Sequence, residues 1–219
     1  MTPKLALLGE YALIARAFGA PHRMMLLEQL AQGERGVEAL ADKVGVSVAN
    51  CSQHLQQLRR AGLVTSRRAG KAVIYRMTDD KTLVLMDLLR QIAQQNLSVV
   101  DDILQGLTNG PAPDPITRAE LDARLTEGSV TLLDMRPEDE FAMGHIPGAV
   151  QVDPTRLDAL ASTLNPATEI IAYCRGPYCV YAHQAVARLH QLGLQARRLE
   201  GGLPEWRADG RQVQSSVSV

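Results

Sequence analysis

Residues 37–64 read VEALADKVGVSVANCSQHLQQLRRAGLV, and the first half of the chain takes its fold from this stretch. Val37, Leu40, Ala41 and Val44 recur at helical spacing until Gly45-Val46-Ser47 interrupts them. Val48, Cys51, Leu55 and Leu58 then begin a second apolar stripe. Two short helices joined by a tight turn are predicted. Ser47 is placed to cap the second helix through its hydroxyl, and Gly62 to stop it, because glycine accepts the left-handed backbone that ends helices. The face opposite the second stripe carries Asn50, Ser52, Gln53, His54, Gln56 and Gln57. Amides and hydroxyls both donate and accept, which suits base edges in the major groove of DNA. An ordinary solvated face carries Glu and Lys instead.

Outward from this core, 63–67 and 72–77 are rich in β-forming residues and flank Arg68-Ala69-Gly70-Lys71, which predicts a hairpin with a basic tip. Arg67, Arg68 and Lys71 on such a wing reach phosphates or the minor groove, adding affinity that salt weakens. Ala20-Pro21-His22-Arg23-Met24-Met25-Leu26-Leu27-Glu28-Gln29-Leu30, together with Ser47 through Val64, resembles the ArsR-type winged-helix repressors over roughly residues 4–107. The resemblance implies a double-stranded DNA operator as partner and a homodimer formed through the first and last helices. Lys81 to Gln105 reads as one long helix with Leu85, Leu88, Leu89, Ile92, Ala93, Val100, Ile103 and Leu104, more apolar surface than one small domain needs.

Many members of that family sense metals through thiolates ahead of the recognition helix or through His and acidic ligands in the last helix. Residues 33–44 and 81–105 hold neither Cys nor His, so no metal site and no cofactor are expected. Cys51 lies on the apolar stripe and reads as a small buried hydrophobe rather than a reactive thiol. An arsenical- or metal-responsive repressor that pairs Cys51 with a second thiol is the least favoured reading.

The chain has 219 residues, enough for two modules of about 100 residues each. Thr108-Asn109-Gly110-Pro111-Ala112-Pro113-Asp114-Pro115 continues neither helix nor strand and marks a linker over 108–115. Residues 1–108 hold 13 Lys and Arg against 10 Asp and Glu, net +3, whereas 109–219 hold 10 against 14, net −4, so a polyanion belongs with the first half. Glu10 and Arg16 interrupt the apolar stretch 5–20, which excludes a membrane span there, and a cytoplasmic location is expected. Three cysteines are too few for a disulfide framework, so any special role rests on thiol reactivity.

The second half alternates helices and strands: a helix opened by Thr117 with Glu120, a strand over 130–134, a short helix over 138–142, a strand over 149–152, a helix over 155–164, a strand over 169–173, a helix over 180–192 and a strand over 196–199. This is the pattern of a parallel sheet covered on both faces. Cys174-Arg175-Gly176-Pro177-Tyr178-Cys179 falls between a strand and a helix, where open α/β sheets place their ligands. Free N–H groups and the helix dipole there favour an anion, so Cys174 is expected to be a thiolate.

LDMRPEDEFAMGHIPGA over 133–149, the Cys174 loop and GGLPEW over 201–206 together resemble a rhodanese domain across 116–211. The resemblance implies sulfur transfer: Cys174 takes sulfane sulfur from a small donor such as thiosulfate or polysulfide, holds it as a persulfide and passes it to a thiol acceptor. Gly176, Pro177 and Tyr178 form the cradle, and Arg175 is expected to attract the anionic donor. Phosphatases of the same superfold need an arginine six positions after the cysteine; Val180 stands there. A second thiol, Cys179, offers resolution of a persulfide into a disulfide if the loop brings the two Cα atoms within about 7 Å. Asp134, Arg136, Glu140 and His145 are expected to brace the fold, and Trp206 to be core.

The expectation is therefore a mainly-α winged helix-turn-helix domain over 1–107, the linker, and an α/β rhodanese-like domain over 116–219. Functionally it is a DNA-binding regulator that senses or transfers reactive sulfur. The alternative is a sulfurtransferase whose DNA-binding half is uncoupled.

Overall fold

A computed structural model describes residues 2–108, 114–176 and 179–215. Residues 109–113 of the expected linker, and Pro177 and Tyr178 of the expected cradle, lie outside the described residues. The chain divides into two compact units, 1–83 and 84–219.

The first unit runs α1 (Pro3–Phe18), α2 (Pro21–Gln32), β1 (Arg35–Gly36), α3 (Val37–Val44), α4 (Val48–Arg60), β2 (Val64–Ala69) and β3 (Ala72–Met77). Gly45 takes the left-handed backbone (φ 74°) that ends α3, and the Ser47 hydroxyl accepts from Asn50 N at 3.3 Å to start α4. Leu26, Leu27, Leu40, Cys51, Leu55 and Leu58 are fully buried, so both predicted stripes meet α2 in one core. The hairpin is longer than its composition suggests. Arg68 pairs with Val73 and Ala69 with Ala72, leaving Gly70-Lys71 as the turn, with Gly70 at φ 60°. β1, too short to show any periodicity, adds a third strand by pairing Arg35 and Gly36 with Tyr75 and Ile74.

The second unit begins within α5 (Lys81–Asn96), followed by α6 (Ser98–Thr108). The single helix expected over 81–105 is thus two. The break falls at Asn96-Leu97-Ser98, where the Asn96 amide donates to Ile92 O at 2.8 Å and competes with the helical backbone. Then come α7 (Arg118–Thr126), β4 (Val130–Asp134), α8 (Glu138–Met143), β5 (Val150–Gln151), a 3₁₀ turn (Pro154–Arg156), α9 (Leu157–Ala161), β6 (Glu169–Tyr173), α10 (Val180–Gln191), β7 (Ala196–Arg198) and α11 (Leu203–Ala208). Thr117 caps α7 by accepting from Glu120 N at 3.1 Å, but the Glu120 carboxylate pairs with Arg197.

The four strands are parallel in the order β5-β4-β6-β7. Side-chain alternation sorts their residues onto two faces. Leu133, Ile170, Ala172 and Ala196 pack with Leu157, Ala185 and Leu189. Leu132, Ile171 and Tyr173 pack with Leu121, Leu203 and Trp206. Arg136 and Asp134 are both fully buried. The guanidinium grips the carboxylate at 2.5–3.1 Å and donates to Gly144 O at 2.7 Å, which ties the end of β4 to the close of α8. Among the described residues, no helix is long and apolar enough to cross a membrane.

Candidate functional site

Four of the six polar residues expected on the outer face of α4 are exposed there. Asn50, Gln53, Gln56 and Gln57 are exposed, with Ser47 at the helix start, whereas Ser52 and His54 are half-buried. His54 turns toward α2 and stacks on His22, ring centroids 5.8 Å apart. Burial, with Arg23 and His22 adding to it, holds its imidazole below the ordinary histidine value and so favours the uncharged ring. Gln57 is engaged as well, accepting from Arg23 Nη1 at 2.7 Å. Arg59 and Arg60, which appear in the sequence only within a family motif, are exposed on the last turn of α4. Arg59 donates to Ser66 Oγ at 3.4 Å.

On the hairpin, Arg67, Arg68 and Lys71 are all exposed. The Arg67 guanidinium forms an ion pair with Glu34, just before β1. Arg67 therefore reaches a phosphate only by leaving that partner, which the sequence concealed because the two residues are 33 positions apart. Cys51 is fully buried and desolvation pushes its thiol pKa up, so it packs as a hydrophobe.

In the second unit, Cys174 follows the last residue of β6 and Cys179 precedes the first of α10. Their Cα atoms are 5.9 Å apart, and a disulfide joins them. The expected thiolate at Cys174 therefore belongs to the reduced form, not to this one. Cys174 is fully buried, and its carbonyl accepts from Leu203 N at 3.4 Å. Cys179 N donates to Gly176 O at 3.2 Å, closing a turn at the start of α10.

Arg175, the residue after Cys174, is paired with Glu140. Its guanidinium is committed bidentately to the fully buried Glu140 carboxylate, Nε to Oε2 at 2.9 Å and Nη2 to Oε1 at 2.8 Å, and so anchors the loop to α8. The guanidinium expected to attract the donor is thus also the partner that this carboxylate requires, because a buried carboxylate must be paired. A cleft of about 950 Å³ opens at the ends of β4 and β5; Gln151, Thr155 and Arg156 line it, and Tyr181 on α10 borders it.

Two residues quoted only as motif members turn out to hold the loop. A side chain on Gly202 would overlap the Cys174 carbonyl oxygen and lie 2.6 Å from Gly176 N. Only glycine permits that approach. The Glu205 carboxylate accepts from Gly202 N at 2.8 Å and lies under Gly176, and burial pushes its carboxyl pKa up. Among the described residues, no group of three or more His, Cys, Asp and Glu side chains is arranged to hold a metal. Gly202→Ala should destabilise the protein by about 1–3 kcal/mol through overpacking. Urea unfolding should register this loss, while the equivalent change at the open Gly106 should cost far less.

Comparison with known proteins matches a family in each half of the chain. Residues 117–209 match the rhodanese-like domain family, and residues 18–67 match a helix-turn-helix domain family. The HTH-type transcriptional regulator Rv0324 of Mycobacterium tuberculosis is 38% identical over 216 residues, covering 99% of this chain and 95% of the relative. The biofilm growth-associated repressor of Agrobacterium fabrum is 39% identical over 83 residues, 38% of this chain and 71% of that protein. Among solved structures, the homodimeric winged helix-turn-helix DNA-binding domain of a possible ArsR-family regulator from Mycobacterium bovis is 36% identical, with a TM-score of 0.41, over 44% of this chain and 90% of that one. With a full-length relative of that name, and its two domains in this order, the chain belongs to the ArsR-type helix-turn-helix transcriptional regulators that carry a rhodanese-like domain after the DNA-binding domain.

Proposed function

We propose that this regulator responds to reactive sulfur through the Cys174–Cys179 pair, and that the state of the pair sets its affinity for DNA. The observation that carries the reading is the 5.9 Å Cα separation across the loop, within disulfide reach. In the reduced protein the Cys174 thiolate attacks the outer sulfur of thiosulfate, forming a persulfide and releasing sulfite. The Cys179 thiolate then attacks Sγ of Cys174, and hydrosulfide leaves. The donor is reduced, the two thiols are oxidised, and the sum is dithiol plus thiosulfate giving disulfide, sulfite and hydrogen sulfide. A polysulfide donor follows the same course and leaves a polysulfide shorter by one sulfur.

The N–H groups opening α10 favour the anionic persulfide. With Arg175 occupied by Glu140, exposed Arg156 on the neighbouring cleft is the cation available to draw an anionic donor. In this reading sulfur chemistry belongs to 116–219, DNA reading and dimerisation to 1–107, and 108–115 is the linker. A cytoplasmic setting, where thiols are kept reduced until a signal arrives, suits a device of this kind. The Asn50, Gln53 and Gln56 amides read bases, and Arg68 and Lys71 hold phosphates.

A dimer suits the exposed apolar stripe on α1, where Leu5 (58% exposed), Leu8 (48%) and Tyr11 (58%) face outward, and α5 exposes Val84, Leu88 and Ile92 at four-residue spacing. Leu8→Glu should sediment as a monomer where the parent sediments as a dimer; an unchanged dimer would place the interface elsewhere. Thiosulfate added to the reduced protein should release one equivalent each of sulfite and sulfide per chain and then stop. Cys179→Ser should stop at one added sulfur atom, seen by mass spectrometry, with no sulfide released. Many turnovers per chain would make it a sulfurtransferase instead, and no reaction at Cys174 would overturn the reading.

A further inference from the structure

Arg23, in the first turn of α2, is held by two carbonyls from the last turn of α1. Nε donates to Ala17 O at 2.6 Å and Nη2 to Arg16 O at 2.7 Å. Its remaining arm, Nη1, donates to Gln57 Oε1 at 2.7 Å on the exposed side of α4. A guanidinium has donors only, so the contact decides which end of the Gln57 amide faces it. The oxygen is turned toward the guanidinium, which takes one of its two lone pairs, and the Nε2 amino group is left to donate elsewhere. His54, the other polar neighbour on this flank, is stacked on His22, and the Arg23 guanidinium is the group that Gln57 Oε1 accepts from.

We infer that Arg23 is a positioning residue that turns Gln57 to DNA as a donor, with guanine as its preferred base. This rests on the reading of α4 as the helix that enters the major groove. A free glutamine pairs best with adenine, its oxygen accepting from N6–H and its amino group donating to N7. With Oε1 turned to Arg23, the amide cannot set its oxygen and its amino group side by side against adenine's N6 and N7, whereas guanine offers two acceptors, N7 and O6, to the amino group alone. The arrangement gives an uncharged side chain the preference ordinarily supplied by arginine or lysine, and it ties that preference to the end of α1. The polar face of α4 alone leaves Gln57 free to choose either purine.

The test is selection of bound duplexes by the full-length protein from a pool of DNA with a randomised core. The wild type should favour guanine over adenine by roughly tenfold or more at one position in each half-site, the discrimination expected of one good base contact. Gln57→Ala should flatten that position and no other. Arg23→Met should let adenine rise to parity there, while Arg23→Lys, which still donates to Oε1, should keep guanine.

Gln57→Glu leaves Arg23 in place, removes the outward donors and should abolish the guanine preference even if Arg23→Met fails to fold. Guanine retained in Gln57→Glu, guanine retained in a folded Arg23→Met, or adenine at the position that Gln57→Ala flattens would each overturn the inference. Gln53→Ala separates the two levels. If it alters the selected sequence while Gln57→Ala does not, α4 reads DNA and only the Gln57 assignment fails; if neither does, the reading of α4 itself fails.

Discussion

The chemistry of the second domain hangs on one constraint: six residues, Cys174 to Cys179, must carry the chain from a buried strand to the first turn of a helix packed on the same sheet face. The β6 strand cannot shift, because its residues are bonded on one side to β4 and on the other to β7. α10 cannot shift either, because Ala182, Ala185, Val186 and Leu189 are buried against that sheet. The loop closes over a fixed gap, so its two terminal residues are neighbours whatever their identity. Placing thiols at both ends turns a geometric necessity into a redox pair. Everything else around the loop restrains it. Gly202 lies against its backbone, Glu205 holds Gly202, and Arg175 clamps it to Glu140.

A similar economy governs the first domain. The α4 helix is positioned by three leucine- or cysteine-sized side chains, Cys51, Leu55 and Leu58, all fully buried, which leaves its remaining faces free for polar work. That polar surface is not uniform. One flank, His54 and Gln57, leans on His22 and Arg23, while Gln53 and Gln56 face outward. The wing is likewise tuned, since Glu34 neutralises Arg67 and leaves Arg68 and Lys71 toward the tip. Arg23 is where α1, α2 and α4 meet, one guanidinium bonded to all three.

Elements with strong periodicity or capping were legible in the sequence: α3, α4, the hairpin, and the alternation of helix and strand in the second half. Their stripes and caps are local, and local patterns need only a few neighbouring residues to be read. Features that depend on distant partners were not legible. The commitment of Arg175 to Glu140 spans 35 positions, that of Arg67 to Glu34 spans 33, and that of Arg23 to Gln57 spans 34. β1 escaped because two residues show no period, and the division of 81–105 at Leu97 escaped because leucines continue on both sides of Asn96 and Ser98. The tasks of Gly202 and Glu205 became visible only when the loop they support was placed above them.

The central claim is that the state of the Cys174–Cys179 pair governs DNA binding. Fluorescence anisotropy on the DNA upstream of the gene encoding this protein tests it directly, with wild type and Cys174→Ser each measured reduced and after polysulfide treatment. The account predicts that polysulfide shifts the affinity of the wild type and leaves Cys174→Ser unmoved. Equal affinity in all four samples, or an equal shift in both proteins, would contradict it.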